Sequence, residues 1–188
     1  MKKNIGPVNA LYPMPVVLAG AIVEGRANFI TVAHVGIFRH DTVALGLGKS
    51  HFTNRGIAEQ RTFSINIMPD ELVVETDYAG IVSGRKVDKS TLFEVEYGPL
   101  RTAPMIAAAP VSMECALLDV LDYESHEVFV GKVENTFADE SVLRNGKIDL
   151  AAVRPMLFDM FQRKYWRLGE AFADCWSAGK KLRGESAG

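Results

Sequence analysis

The stretch VVLAGAIVEGRANFITVAHV, residues 16–35, decides the fold. Residues 16–23 form an apolar run of strand length, Glu24-Gly25-Arg26 supplies turn chemistry, and residues 27–35 are rich in β-branched and aromatic side chains. The pattern predicts a β-hairpin. Upstream, Lys2 and Lys3 precede apolar residues that include Ala19-Gly20-Ala21, which imitates an export signal with a small-residue cleavage site. Pro13 and Pro15 break the stretch where a signal helix has to be continuous. No run approaches the ~20 apolar residues needed to cross a bilayer, so a soluble protein is expected.

Strand character continues downstream. After Arg39-His40-Asp41, residues 42–47 read as a third strand, with Gly46 and Gly48 allowing close approach of another chain or a ligand. The period then changes. Ser50 and Thr53 are candidate N-caps of a short helix that carries Ile57 and Ala58 and ends by Thr62. Phe63-Ser64-Ile65-Asn66-Ile67-Met68 alternates as a strand and stops at Pro69-Asp70, and residues 71–79 read as a second helix with Gly80 near its end. A charged loop covers residues 83–90. Residues 111–121 and 127–137 form a second hairpin across the polar connection Asp122-Tyr123-Glu124-Ser125-His126. Residues 139–143 suggest a helical turn and Gly146 a chain reversal, and Phe158, Phe161, Tyr165 and Trp166 then recur at helical or mixed spacing. Gly184 to Gly188 are expected to fray. At least five strands, two or three short helices and no strand–helix alternation predict a mainly β, antiparallel barrel. One domain, residues 1–188, accounts for the chain, with residues 170–188 as a C-terminal tail.

Composition narrows the function. With 48% hydrophobic and 23% charged residues, 188 residues can bury one core, which excludes a disordered or fibrous chain. The 21 basic and 23 acidic residues give a formal charge of -2 without long like-charge blocks, so no strong field exists for nucleic acid or a membrane surface. Cys115 and Cys175 form no CxxC pair, which fits a reducing, cytoplasmic setting, and Cys115 inside an apolar strand reads as core. His34, His40, His51 and His126 lack HxxxH or HxH spacing, so no built-in metal site is expected.

The strongest candidate site is Gly46-Leu47-Gly48-Lys49-Ser50-His51-Phe52-Thr53-Asn54, where a strand runs through glycines into a basic, hydroxyl-rich helix start. Free N–H groups at a helix N-terminus, the Lys49 charge and the Ser50 and Thr53 hydroxyls suit a monophosphate. The spacing is not that of a Walker A loop. A plain cap by Ser50 or Thr53, with Lys49 in solvent, fits the local pattern equally well.

Four segments carry a family resemblance: Gly6-Pro7 with Tyr12-Pro13-Met14-Pro15; Gly25-Arg26-Ala27-Asn28-Phe29-Ile30-Thr31; Phe63-Ser64-Ile65-Asn66-Ile67; and Asp77-Tyr78-Ala79-Gly80-Ile81-Val82-Ser83-Gly84-Arg85 with Asp88-Lys89. His126-Glu127-Val128-Phe129-Val130-Gly131-Lys132-Val133 adds a late strand. In this order the chain resembles the flavin reductase-like proteins, most closely the flavoredoxin type, over most of residues 6–170. The resemblance implies an antiparallel Greek-key split β-barrel that binds FMN. It places Asn28, Thr31, Val32 and Ala33 along the flavin ring and Lys49, Ser50, His51, Thr53 and Asn54 around the phosphate. Ser83, Gly84 and Lys89 would close over the ribityl chain or phosphate. It also implies a homodimer with the pocket at the two-fold interface.

His126 opens a strand after a polar turn, where an imidazole could donate a proton or hydrogen bond to the reduced flavin or, equally, bond only its neighbours. Tyr165 and Trp166 read either as a wall beside the flavin or as an anchor for the tail. An NAD(P)H-dependent oxidoreductase follows from the resemblance: NADH or NADPH reduces the flavin, which passes electrons to free flavin, ferric iron or a protein partner. The alternatives are an FMN electron carrier between redox proteins and a dimeric scaffold without flavin. Two segments depart from the family pattern: the apolar residues 105–110 and Phe38-Arg39-His40. Both are expected to reshape the substrate side of the pocket.

Overall fold

The computed structural model describes residues 1–183. Gly184 to Gly188 lie outside the described residues. Seven strands build the main sheet: β1 (Val17–Val23), β2 (Arg26–Val32), β3 (Val35–Arg39), β4 (Thr42–Gly48), β5 (Thr62–Ile67), β6 (Val111–Asp122) and β7 (His126–Ala138). Their spatial order is β2-β1-β5-β6-β7-β4-β3, and every neighbouring pair is antiparallel. Helix α1 (Phe52–Gln60) joins β4 to β5, and helix α2 (Val73–Ile81) follows β5 after a 3-10 turn at Asp70–Leu72. The expected antiparallel split barrel with few helices is the observed fold.

The apolar run that opens β1 has a direct cause. Val17, Ala19 and Ala21 face the barrel interior with Leu45, Leu47, Phe63, Ile65, Cys115 and Phe129, whereas Leu18 on the other face packs with Phe29, Met68 and Ala79 beneath α2. A strand buried on both faces has no polar alternation to show. Gly20 is required in it, because a Cβ would lie 2.5 Å from both Pro104 O and Ser64 Oγ.

Strand β5 alternates because its polar residues tie down a loop. Asn66 Nδ2 donates to Leu18 O (3.0 Å) and Ser64 Oγ (3.0 Å), and its Oδ1 accepts from Ile106 N (2.9 Å) and the Ser112 hydroxyl (2.8 Å). All of its hydrogen-bonding capacity is met, which is what a buried amide needs. Residues 105 and 106 are thereby held on the core, with Ile106 in the cluster under α2. The apolar residues 105–110 are explained by packing.

Three readings need correction. The second strand does not run to Val35: the chain bends at Ala33-His34, and Val35–Arg39 is a separate edge strand hydrogen-bonded to β4. Its outward Ile37 and Phe38 carry no burial signal, so it merges with its neighbour in sequence. The helix α1 is capped neither by Ser50 nor by Thr53; His51 is its N-cap and makes no side-chain cap bond. The helical or mixed spacing of the aromatic residues resolves into strands: Phe158 lies on Met156–Asp159, which pairs with Met14–Pro15 on one side and on the other with Lys164–Arg167, which carries Tyr165 and Trp166.

Candidate flavin site

The site starts at the free edge of β2. Backbone N–H and C=O of one residue in an antiparallel strand point the same way, alternating along the chain. Phe29 O points away from β1, accepting from Lys89 Nζ (2.9 Å), so the polar groups of Thr31 face the same open edge. Against this edge lie the N-terminus of α1 and the C-terminal end of α2.

Asn28 is 4% exposed and its Nδ2 donates to Thr53 Oγ1 at 2.7 Å. That bond draws Thr53 inward, and because the N-cap residue His51 makes no side-chain bond, the first-turn N–H groups of α1 have no side-chain cap. Asn28 Oδ1 has no partner. Gly84 packs on that oxygen so tightly that a Cβ would sit 2.0 Å from it.

Lys89 provides the charge. It is 3% exposed, and its ammonium donates to Phe29 O and to Ala79 O (2.7 Å) at the end of α2. No carboxylate faces it among the described residues. Burial therefore lowers its pKa to about 8. Burial, then the Lys89 charge and then that of His126, also lower the pKa of His51. The pocket is positive and uncompensated.

These groups line a cavity of about 330 Å³ formed by Asn28, Ser50, His51, Thr53, Ser83, Gly84 and Lys89, together with Phe52 and Arg85. A second cavity of similar size adjoins it through Gly80 and Ile81, and Thr31, Ala33, His34, Phe158 and Tyr165 line it. The Thr31 hydroxyl donates to Thr76 O of α2, and Tyr165 donates to Asp77 Oδ1 at 2.7 Å. Burial raises the Tyr165 pKa, and the hydrogen bond and charge of Asp77 add to the effect. A 410 Å³ cavity elsewhere presents the carboxylates Glu96 and Asp139 and no buried cation, so it does not suit an anion.

Not every candidate residue lines these cavities. Lys49 turns to Asp122 (2.5 Å) at the tip of the β6–β7 hairpin. Asn54 is buried, its Nδ2 donating to Gly48 O (3.1 Å) and Glu127 Oε2 (2.7 Å), and so fastens α1 to β4 and β7. The Val32 side chain belongs to the barrel core. His126 is exposed opposite Gly48, with Nδ1 and Ser125 Oγ 2.8 Å apart. The loop residues Phe38-Arg39-His40 are exposed at the edge strand, outside both cavities. Residues 105–110 contribute to the acidic cavity instead.

Sequence reading missed Phe52 and Arg85, whose guanidinium lies over the Phe52 ring, 5.4 Å from its centroid. Their signal was faint. Phe52 reads as a core residue of α1, and Arg85 as one charge in a charged loop.

The model of the Flavin reductase like domain matches residues 9–167. A flavoredoxin from Methanosarcina acetivorans is 39% identical and superimposes with a TM-score of 0.92, covering 96% of this chain and 100% of that one. The flavoredoxin of Desulfovibrio vulgaris (Miyazaki F) is 33% identical with a TM-score of 0.90 over the same shares. A protein of Aeropyrum pernix is 27% identical over 154 residues, which are 79% of this chain and 58% of that one. A barrel with this strand order, carrying the open β2 edge and buried cation and matched by that model over most of its length, belongs to the flavin reductase-like family.

Proposed function

We propose that the two joined cavities bind FMN and that the protein is an NAD(P)H-dependent oxidoreductase. The buried Lys89 carries the reading: a cation that no carboxylate faces among the described residues, beside an uncapped helix start and the unpartnered Asn28 Oδ1, suits a bound anion. A phosphate supplies that charge, and a hydroxylated chain supplies a donor for Asn28 Oδ1. From Asn28 to Ala33 the strand rises roughly 16 Å, long enough to align one extended mononucleotide with both cavities.

Within this reading each residue has a task. Lys89, Ser50 and the first-turn N–H groups of α1 hold the phosphate, and Gly84 lets the loop close onto Asn28. The edge groups of Thr31 and Ala33 address the polar rim of the ring, while Phe158 and Ile81 exclude water from it. FMN, when bound, accepts a hydride and releases electrons singly or in pairs. His126 stands outside both cavities, on the rim near His51, where a proton donor would serve an acceptor arriving from solvent. Two copies would complete the pocket, and the buried free Cys115 and exposed free Cys175 suit a reducing cytoplasm.

The likeness to two flavoredoxins favours a second reading, an FMN carrier that exchanges electrons with protein partners and not with nicotinamide. Anaerobic mixing of the FMN-loaded protein with NADH or NADPH separates them. Bleaching of the flavin absorbance within seconds is expected for the reductase. A spectrum unchanged by either nucleotide leaves the carrier.

A further inference from the structure

After Arg167, whose guanidinium binds Asp70, the chain leaves the barrel. The segment 168–183 carries Phe172, Trp176 and Leu182, which are 99%, 93% and 95% exposed. Its first residues run past Ile148–Pro155 and leave a hollow of about 790 Å³ between the two. Aromatic side chains so placed gain nothing from the folded body, although each has about 150–250 Å² to bury.

The same chain presents an apolar surface with nothing on it. On α2, Thr76 and Ala79 are buried against the body, whereas Val74, Tyr78 and Ile81 form an outward stripe at i, i+4 and i+7. Val74 and Ile81 are 72% and 73% exposed. Solvent-facing helix stripes are normally polar. Ile81 also rims both cavities, and Met160 lines the ring cavity beside it. The stripe stays exposed in the presence of the chain's own segment 168–183.

We propose that residues 168–183 are an arm that docks on the α2 stripe of a second copy and walls the ring cavity of that copy. The inference rests on the two-copy reading above and gives that dimer its contact. One chain carries both the apolar arm and the apolar stripe, so a two-fold exchange satisfies both in both copies and closes the assembly. Two aromatics per arm, two arms and the surfaces they cover amount to ~1,200–2,000 Å², the range of a stable interface. Ile81, which lines both cavities, is 73% exposed in one copy, and in this arrangement the arm of the second copy covers it.

The test uses the full chain. Sedimentation equilibrium is expected to give a two-subunit mass, and the double variant Phe172→Ala/Trp176→Ala a dimer dissociation constant raised at least ~100-fold. Trp166→Phe leaves Trp176 as the single tryptophan; its emission is expected to be blue-shifted and shielded from iodide in the dimer. Val74→Glu, at a position exposed in one copy, is expected to keep the far-ultraviolet circular dichroism of the fold while releasing Trp176 to solvent and the dimer to monomers. A monomeric full chain, an arm variant that dimerises as tightly as the parent, or a Trp176 that stays buried in Val74→Glu overturns the proposal. FMN titration of the same proteins is read separately. A colourless dimer held by its arms removes the flavin reading alone, and an FMN-binding monomer removes the arm alone.

Discussion

Lys89 combines three facts that seldom coincide: burial, two carbonyl acceptors and no counter-charge among the described residues. Its pKa in the folded protein, about 8, lies below the ordinary 10.5. The unfolded chain therefore binds more protons between those values, so flavin-free protein should gain stability as pH rises through that window. The cost is fully present below about pH 8. Urea midpoints of the parent should rise over this range, and those of Lys89→Met should lack that rise. Bound phosphate reverses the balance by favouring the ammonium. FMN affinity is expected to weaken by up to about tenfold per pH unit above pH 8, with riboflavin affinity unaffected, as fluorescence titration of both ligands would show. At pH 7 Lys89→Met should cost FMN at least about 30-fold in affinity and riboflavin much less. Lys49 makes the contrasting case. Its side chain is spent on an exposed ion pair with Asp122, worth about 0–1 kcal/mol, so Lys49→Ala should change FMN affinity less than threefold in the same titration. Equal large losses for Lys49→Ala and Lys89→Met would shift the phosphate toward the hairpin tip.

Helix α1 is an element tied to the barrel through buried amides, Asn28 at Thr53 and Asn54 within its own first turn. Asn54 joins its first turn to the end of β4 and to Glu127 of β7, the strand that opens with His126. Asn54→Ala leaves Gly48 O and the Glu127 carboxylate without that donor. A loss of about 1–3 kcal/mol is expected, read as a lower urea midpoint at an unchanged denaturant slope. An unaltered midpoint would mean that water replaces the amide. The elements also show where periodicity carries information. Strand β5 was legible because one face fills the barrel and the other serves the Asn66 network. Strand β3 was not, because an edge strand with exposed Ile37 and Phe38 pays no visible price for either choice of face. The strands around Phe158 and Tyr165 were hidden for a similar reason: their aromatic residues are set by contacts with Met14–Pro15 and Asp77, far away in sequence.

At the scale of the whole molecule, ligand binding and folding are linked. A ligand that binds only the folded state stabilises it by about 2.7 kcal/mol at a hundred times its dissociation constant. For a chain of this size the thermal midpoint should rise roughly 5–10 °C at that FMN concentration. Scanning calorimetry across an FMN series checks it, and a midpoint indifferent to FMN would remove the mononucleotide reading. The sequence by itself determined the barrel, since burying both faces of one strand and one face of its neighbours imposes a pattern that residues 16–68 display without reference to the rest. It also marked the start of α1 as a candidate anion site, with a plain helix cap as an equal rival, because glycines, hydroxyls and a helix N-terminus are local features. Only the tertiary structure decided which of Lys49 and Lys89 is left without a carboxylate among the described residues. Lys49 is adjacent in the chain but bonded to Asp122, while Lys89, 60 residues beyond Phe29, is carried to it by α2 and buried there. Burial and the absence of a counter-charge are properties of surroundings, and surroundings exist only once the chain has folded.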